Sequence, residues 1–389
     1  MGNGSNIVDV KQHNRQLLLQ CLLDAPLSRA GLARQMGVSS MTVTNLVRTL
    51  IAEGWVEPLS TSAETQPRTV GRPRTQLQIN RHAAHAVGIH IGIGSYRVAL
   101  VDLLGTPVQI QEGQFALEQS AETTLTQFSH TVTQLLAQHE TPILGIGVGA
   151  SGLVDSDQGL NVIAPSLNWR NVPIGSLLKE RLGLPVFVEN NVRAMALAEA
   201  YFGQGKDVDS LAFVFGRIGV GAGFIMRRKL LRGIAAGAGE IGHTIILPEN
   251  GARCRCGQTG CLETLVTEPI LLGDDDLTLD QLFNEARRGN KIYLGRIHQL
   301  CVYLGIALTN LVNTLNPERI VLGGLYAQGA DLLLPRLREI VRERAFGRLG
   351  HQVTIDTTTF DKNAGIIGAA TLALVHNFYD RPLRQVPQG

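Results

Sequence analysis

The residues best suited to chemistry lie in one glycine-rich stretch, 237–264, which reads G-A-G-E-I-G-H-T-I-I-L-P-E-N-G-A-R-C-R-C-G-Q-T-G-C-L-E-T. Three of the five cysteines of the chain fall within eight positions here, and a histidine precedes the first of them by eleven residues. Three thiolates and one imidazole form a ligand set that suits tetrahedral Zn²⁺. The predicted ligands are His243, Cys254, Cys256 and Cys261.

Four protein ligands leave no open coordination position, so the predicted zinc ion is structural and not catalytic. Clustered cysteine and histidine in a chain that is not secreted is interpreted first as a metal site. The alternative is a glycine-rich loop whose cysteines are buried or reactive thiols. The other two cysteines, Cys21 and Cys301, stand alone in apolar surroundings and are predicted to be core residues.

The pattern E-x-G-H followed by C-x-C-G-x-x-G-C-x-E resembles the signature of the ROK family, named for repressors, open reading frames and sugar kinases. The resemblance implies that Glu240, His243 and Glu263 contact the hydroxyl groups of a bound sugar. A metal-bound imidazole has a second ring nitrogen, so His243 could hold zinc on one side and a sugar on the other. The alternative for Glu240 and Glu263 is a pair of carboxylates that cap zinc-loop amides.

Length and composition limit the remaining classes. A chain of 389 residues is too long for one core and implies two or three domains, and a hydrophobic content of 44% excludes a largely disordered chain. No run reaches the roughly 18 apolar residues of a membrane span, and the N-terminus lacks an apolar signal region. We therefore expect a cytoplasmic protein with no membrane attachment, and the isolated cysteines fit a reducing compartment.

The first eighty residues are predicted to form a DNA-binding domain. A helix over 9–23, a short helix that Ser28 caps, and a longer one capped by Ser39 or Ser40 give the pattern of a helix-turn-helix. Two short strands on either side of a polar, basic loop complete a wing. Residues 1–80 carry a net charge of +3, whereas the remaining 309 carry −1, so the positive excess lies where a polyanion would use it.

The candidate DNA contacts are the polar face of the third helix and two arginines of the wing. They are Ser40, Thr42, Thr44, Asn45, Arg48, Arg72 and Arg74. Asparagine can pair with adenine and arginine with guanine or phosphate, and an extended arginine suits a narrow minor groove. The alternatives are an ordinary solvated helix face and a disordered interdomain linker. Together, Q-H-N-R, S-R-A-G-L-A and G-R-P resemble the winged helix of ROK repressors, which the sugar kinases of the family lack.

From Ala86 onward the chain resembles the sugar-kinase body of the same family. The resemblance implies an α/β fold class: an N-terminal winged helix-turn-helix, residues 1–80, followed by a two-lobed actin-like (sugar-kinase, ribonuclease H-like) body, residues 81–389. The kinases bind nucleotide phosphates with D-x-G-G-T, which reads H-I-G-I-G here from His90, and with G-T-G, which reads R-I-G here from Arg217. The weak glycine run after Arg217 is interpreted as a turn between two strands.

The catalytic aspartate of the kinases, in the motif E-N-D, is replaced by Asn191. A neutral amide cannot take a proton at pH 7, and losing a positioned base typically costs about 10²- to 10⁴-fold in rate. Asn190 and Asn191 can still hydrogen-bond sugar hydroxyls. The resemblance therefore implies that recognition of a sugar survives where phosphoryl transfer does not.

The sequence thus predicts a sugar-responsive repressor of carbohydrate uptake or catabolism genes, with no kinase activity and a structural zinc ion. Its expected partners are double-stranded operator DNA, a small sugar or sugar derivative, and further copies of itself in a dimer or tetramer. The second interpretation is a ROK sugar kinase that carries a DNA-binding domain. The third is a repressor that a protein partner releases, with a vestigial sugar cleft.

Overall fold

The N-terminal part of the chain forms three helices and a small antiparallel sheet in the computed structural model, which describes residues 7–59 and 75–380. The elements are α1 (Ile7–Asp24), β1 (Leu27–Ser28), α2 (Arg29–Met36), α3 (Ser40–Ala52), β2 (Val56–Pro58) and β3 (Gln76–Ile79). The strand order is β1-β3-β2. These are the elements of the predicted winged helix-turn-helix, with one additional short strand, β1, that the sequence pattern did not indicate.

Capping residues determine where α2 and α3 begin. Ser28 and Ser39 each accept, at 3.1 Å, a hydrogen bond from the backbone N–H three residues further on. Of the two candidates for the cap of α3, Ser39 is therefore the one that the structure uses, and Ser40 is the first helical residue. Gly37 ends α2 with a φ of 66°, a conformation that glycine adopts at little cost.

The first lobe of the body is built on a five-stranded sheet. Its elements are β4 (His85–Ile91), β5 (Ser95–Asp102), β6 (Pro107–Gln114), α4 (Ala121–Leu136), β7 (Ile143–Ala150), β8 (Leu153–Asp155), β9 (Leu160–Ala164), β10 (Trp169–Val172), α5 (Ile174–Leu182) and β11 (Val186–Asn190). The sheet has the order β11-β7-β4-β5-β6, and β8 to β10 form a separate small sheet.

The second lobe is built on another five-stranded sheet, β14-β13-β12-β15-β16. The chain passes through α6 (Asn191–Phe202), β12 (Leu211–Gly216), β13 (Val220–Met226), β14 (Lys229–Leu230), α7 (Glu263–Val266), α8 (Glu268–Leu272), α9 (Leu279–Arg287), α10 (Lys291–Leu315), β15 (Arg319–Gly324), α11 (Leu325–Gln328), α12 (Ala330–Arg344), α13 (Leu349–Gln352), β16 (Thr354–Thr357) and α14 (Ala364–Leu374). A π-helical turn, Val375–Tyr379, continues α14.

The two large sheets share one topology. In each, the first three strands form an antiparallel meander, and two later strands add in parallel beside the first of them. Parallel neighbours need crossover helices, which is why helices cover the sheets. This repetition gives the two-lobed α/β body that the sequence resemblance implies, so the predicted fold class is confirmed.

Helix α14 packs against the first-lobe sheet at unusually short range. Gly88 of β4 and Gly147 of β7 face its backbone so closely that a Cβ atom at either position would overlap a carbonyl oxygen of the helix. Gly368 of α14 meets the backbone of α6 in the same way. The missing side chains therefore allow α14 to lie between the sheet and the helix that begins the second lobe.

One apolar cluster joins the N-terminal helices to the first lobe. It contains Leu18 of α1 and Ala86 of β4 together with Ala370 of α14 and Phe378 of the π-helical turn. Arg15 of α1 is buried and donates from Nη1 to the carbonyl oxygen of Phe378 at 2.8 Å. The predicted division at residue 80 thus falls between two parts that share a core, and it stays a prediction.

Within residues 7–59 and 75–380, α10 alone is long and apolar enough to pass a length-and-composition test for a membrane span. Its side chains Ile297, Leu300, Leu304 and Leu308 are buried in the core of the second lobe. Core helices of globular proteins pass the same test, so the packing of α10 accounts for its composition.

The close approach of α14 predicts a large effect of one added methyl group. We expect Gly88→Ala to lower the free energy of unfolding by about 3 kcal/mol, because the new Cβ would meet backbone atoms that cannot move independently. Urea denaturation measures the change. The control is Gly295→Ala in α10, where a Cβ would meet nothing within 4 Å; there we expect a gain of about 0.5–1 kcal/mol. Equal effects at both positions would contradict the packing described.

Candidate metal centre and ligand cleft

The four predicted zinc ligands converge. One ligand atom from each of His243, Cys254, Cys256 and Cys261 lies within 4.8 Å of all the others. The Sγ atom of Cys254 is 3.6 Å from Nδ1 of His243, and the Sγ atoms of Cys256 and Cys261 are 3.6 Å apart. Zn–S bonds of about 2.3 Å and Zn–N bonds of about 2.0 Å at tetrahedral angles require separations of roughly 3.5–3.8 Å. The donor set therefore fits Zn²⁺.

Short-range backbone contacts fold the chain around this cluster. Residue pairs Ile245–Cys261 and Arg253–Thr259 form isolated antiparallel bridges, and Gly260 lies in the left-handed region with a φ of 74°. Burial raises the pKa of the Cys261 thiol to about 12 in the absence of metal. A metal must displace such protons to bind, so metal affinity is expected to fall as the pH falls.

The carboxylate of Glu263 is held by the metal-binding loop itself. Arg255, between two of the cysteines, pairs with it through Nε–Oε1 at 2.8 Å and Nη2–Oε2 at 2.9 Å. The backbone N–H of Val220 donates to Oε2 at 3.2 Å. Glu263 thus accepts two hydrogen bonds at Oε2, one from Arg255 and one from a backbone amide, and its Oε1 lies in ion-pair contact with Arg255. The sequence reasoning missed Arg255, although its position between two predicted metal ligands was a usable signal.

His243 ends a 3₁₀ turn, Ile241–His243, and Glu240 directly precedes that turn. The turn is attached to the second-lobe sheet by a hydrogen bond of 2.8 Å from Ala222 N to Gly239 O. The Glu240 side chain is exposed, and His243 is half-buried. Because Nδ1 of His243 faces Cys254, Nε2 is the nitrogen that points away from the metal cluster.

Asn190 and Asn191 lie where β11 ends and α6 begins. Asn190 is the cap of α6: its Oδ1 accepts from the backbone N–H groups of Val192 and Arg193 at 2.9 and 3.2 Å, and its Nδ2 donates to Gly152 O at 2.9 Å. Asn191 lies one residue further, where its Nδ2 is 3.4 Å from Ser151 Oγ. The helix cap therefore occupies much of the hydrogen-bonding capacity of Asn190.

A buried ion pair that the sequence reasoning also missed holds this region together. Glu189 and Arg193 are 0% and 1% exposed, and Nε of Arg193 lies 2.7 Å from Oε1 of Glu189. Arg232 Nε contacts the other carboxylate oxygen at 2.9 Å. Arg193 also donates to the carbonyl oxygens of Ala238 at 3.3 Å and Val154 at 3.4 Å. These bonds place the segment before Glu240 beside the start of α6.

The two loops that correspond to the kinase phosphate loops have a different chemistry here. Burial, with smaller contributions from the guanidinium groups of Arg97 and Arg217, lowers the pKa of His90 to about 4, so this imidazole is neutral at pH 7. The loops expose Ile93 and Ile218 to 41% and 46%. A neutral imidazole near two cations cannot do what an Mg²⁺-organising carboxylate does.

The predicted DNA-binding face of α3 points to solvent. Val43, Val47 and Leu50 are buried on the opposite side. The face consists of Ser40, Asn45 and Arg48, which are exposed, and Thr42 and Thr44, which are half-buried. Met41, 70% exposed on the same helix, is an additional apolar candidate for contact with a thymine methyl group. Arg72 and Arg74 of the predicted wing lie outside the described residues.

The repeated topology and the His/Cys cluster, preceded by three helices and a small sheet, define a class of protein: a two-lobed α/β body of the sugar-kinase type with an additional N-terminal segment. A family model described as "ROK family" matches residues 86–376. The chain therefore belongs to the ROK family.

Three known proteins illustrate the likeness. The xylose repressor of Bacillus subtilis (strain 168) is 32% identical over 377 residues, which is 94% of this chain and 96% of the repressor. The crystal structure of a ROK family transcriptional regulator, a homolog of the Escherichia coli Mlc protein, superimposes with a TM-score of 0.80 at 28% identity, covering 95% of this chain and 97% of that one.

A glucokinase of Halalkalibacterium halodurans is 30% identical over 309 residues, covering 94% of the kinase but 74% of this chain. About a quarter of this chain thus has no counterpart in that kinase, whereas the two regulators match along nearly the whole length.

The ligand geometry predicts the effect of losing one thiolate. We expect about one zinc ion per chain in the purified protein and a small fraction of that in Cys256→Ser, because three ligands hold Zn²⁺ much less tightly than four. The midpoint of thermal unfolding should fall by about 5 °C, since metal-binding energy is also folding energy. Elemental analysis and calorimetry measure both. Cys301→Ala, a buried cysteine outside the cluster, is the control and should keep its zinc.

Proposed function

We propose that this protein is a sugar-responsive transcriptional repressor of carbohydrate uptake or catabolism genes and that it has no kinase activity. The observation that carries the proposal is Asn191, the first residue of α6, at the place of the kinase base. Its side-chain amide lies 3.4 Å from Ser151 Oγ and cannot accept a proton at pH 7. The neutral His90 and the exposed isoleucines of both phosphate loops support the same conclusion. The two similar regulators, a xylose repressor and a ROK family transcriptional regulator, agree with it.

In this proposal residues 1–80 read operator DNA, and residues 81–389 bind the effector and mediate assembly. The exposed face of α3 would enter the major groove, with Arg72 and Arg74 reaching the adjacent minor groove from the wing. The effector is a small sugar or sugar derivative that Asn190, Asn191, Glu240, His243 and Glu263 hold at the cleft. Zn²⁺ would fix the loop that carries the last three of these residues.

Helix α14 provides a direct path from the cleft to the DNA-binding segment. At its start, Arg97 Nη2 donates to Asn363 Oδ1 at 3.0 Å, close to the altered phosphate loop. At its end, the ring of Phe378 lies 5.3 Å from the ring of Trp55, and its carbonyl oxygen accepts from Arg15. Closure of the two lobes around a sugar would therefore shift the N-terminal helices. The sugar changes operator affinity only as far as it binds the two closures differently.

The proposal includes a cytoplasmic homo-oligomer, a dimer or tetramer. Two helix-turn-helix segments reading a palindromic operator must lie about one helical turn of DNA apart, or a multiple of it. A small rotation of one segment then misaligns it with its half-site.

Fluorescence anisotropy with DNA from upstream of the gene tests the proposal. We expect a Kd of about 10⁻⁸ M or tighter, and a loss of about tenfold or more when the right sugar is added. Arg48→Ala should weaken binding and reduce the salt slope by about one, since one phosphate or base contact is lost. Arg288→Ala, exposed at the end of α9, is the control. A protein that binds no promoter fragment would contradict the proposal.

The likeness to a glucokinase makes a sugar kinase with a DNA-binding segment the second candidate. A coupled ADP-release assay with xylose, glucose, mannose and N-acetylglucosamine separates the two. Turnover at a physiological rate that disappears in Glu240→Ala would favour the kinase. Intact operator binding without calorimetric heat from any of these sugars would favour release by a protein partner.

The hydrogen bond from Arg15 of α1 to Phe378 gives a further prediction. Arg15→Met should leave sugar affinity unchanged but reduce the effect of sugar on operator affinity severalfold, because the hydrogen bond that ties α1 to the end of α14 is lost. Isothermal calorimetry and anisotropy measure the two affinities separately. Lys11→Met, on the exposed side of the same helix, is the matched control. If sugar changes operator affinity as strongly in Arg15→Met as in the unaltered protein, the contact between Arg15 and Phe378 takes no part in the mechanism.

A further inference from the structure

Arg255 has a position that the proposed zinc site alone does not require. It lies between Cys254 and Cys256, and its guanidinium group reaches back to Glu263, two residues after Cys261. Arg255 Nη2 donates a hydrogen bond of 2.9 Å to Oε2 of Glu263, and Arg255 Nε lies 2.8 Å from the other oxygen, Oε1, in an ion-pair contact. A bidentate arginine–carboxylate pair fixes the orientation of the carboxylate as well as its position.

The surroundings of the pair make this orientation unique. The backbone N–H of Val220 donates to Oε2 of Glu263 at 3.2 Å. A Cβ atom on Gly219 would lie 2.8 Å from both Arg255 Nη2 and Glu263 Oε2, so the turn between β12 and β13 lies directly against the pair. The Glu263 side chain is 9% exposed, whereas that of Arg255 is 50% exposed. The arginine is therefore the more accessible member of the pair, and the carboxylate keeps a smaller accessible part.

The remaining hydrogen-bonding capacity of the two groups is complementary. A carboxylate has about four lone-pair sites; on Glu263, Oε2 accepts hydrogen bonds from Arg255 and Val220, and Oε1 lies in ion-pair contact with Arg255 Nε. A guanidinium group has five N–H donors, of which one on Arg255 donates to Glu263 and a second lies in that ion-pair contact. Acceptor capacity on Oε1 and several donors of Arg255 are left next to one another. Two neighbouring hydroxyl groups match this arrangement, because one can donate to the carboxylate while the other accepts from the guanidinium.

On these grounds we infer that Arg255 is a specificity-determining and positioning residue of the cleft, which with Glu263 recognises a pair of adjacent hydroxyls on the effector. The inference rests on the proposed function, since it assumes that the cleft binds a sugar. The metal loop then has a second role, because the two cysteines that flank Arg255 fix the backbone from which the guanidinium extends. The same short segment thus binds the metal and selects the ligand.

Isothermal calorimetry with D-xylose, D-glucose and N-acetyl-D-glucosamine tests the inference on the full-length, zinc-loaded protein. For whichever sugar binds, we expect Arg255→Met to weaken binding by about 10- to 100-fold, the loss typical of a charged hydrogen bond. Arg255→Lys should bind with intermediate affinity, because an ammonium group keeps the charge but not the paired geometry. Arg253→Met, on the same loop and exposed, is the matched control and should bind normally.

Four readouts separate this role from a merely structural one. Zinc content and operator affinity without sugar should be the same in Arg255→Met as in the unaltered protein. In a double-mutant cycle with Glu263→Gln, the two losses should not multiply, because the residues act as a pair. Monodeoxy analogues that lack one of the two recognised hydroxyls should lose less affinity for Arg255→Met than for the unaltered protein.

Failure of the inference and failure of the proposed function are distinguishable. Normal sugar affinity in Arg255→Met, or a loss of affinity that follows a loss of zinc, would overturn the inference and leave the proposed repressor intact. Binding of none of the three sugars by the unaltered protein would overturn the inference together with the sugar-effector part of the proposed function.

Discussion

A single buried carboxylate organises the cleft. Glu189 is inaccessible to solvent, and it bonds Arg193 through one oxygen and Arg232 through the other. Removing one partner of such a pair typically costs roughly 3–5 kcal/mol, because the remaining charge stays buried without compensation. The arrangement ties together the end of β11, the start of α6 and the loop before Glu240. The groups proposed to contact the effector are therefore positioned by an interaction that lies beneath them.

A second constraint is the closeness of α14 to its neighbours. Glycines on β4, β7 and α14 itself remove the side chains that would keep backbones apart. A helix packed at this distance cannot tilt without displacing the sheet or α6, so it moves as part of the body. The same helix ends against Trp55 and Arg15 in the N-terminal segment. The fold thus leaves the N-terminal helices little freedom to move relative to the cleft.

The parts of the structure that depend on local spacing could be predicted from the sequence. The cluster of His243 and three cysteines follows from ligand types and turn glycines, and the starts of α2 and α3 follow from their serine caps. The N-terminal elements follow from apolar periodicity. The two-lobed body could be expected from family resemblance, although no periodicity in the chain indicates its repeated strand order.

The parts that depend on distant contacts could not be predicted. The position of Arg255 between two metal ligands is unusual, but only the folded loop shows that its guanidinium group pairs with Glu263. The amide of Asn190 donates to the carbonyl oxygen of Gly152, 38 positions earlier, which local spacing does not indicate. The i, i+4 spacing of Glu189 and Arg193 is common on exposed helices, so it does not reveal a buried pair. The contact of Arg15 with Phe378 spans 363 positions and exists only once the lobes have formed.

The π-helical turn at the end of α14 has a consequence for chain length. Each residue of an α-helix advances the chain by about 100° around the axis, and a π turn holds one residue more than its α-helical equivalent. Because the π turn spreads its extra residue over about the same rotation, deleting His376 or Asn377 would restore α-helical spacing and leave Phe378 at nearly the same angle toward α1. An α-helical path that kept all five residues would instead rotate Phe378 away from α1. The π-helical winding of this short turn therefore sets the angle at which the N-terminal helices dock.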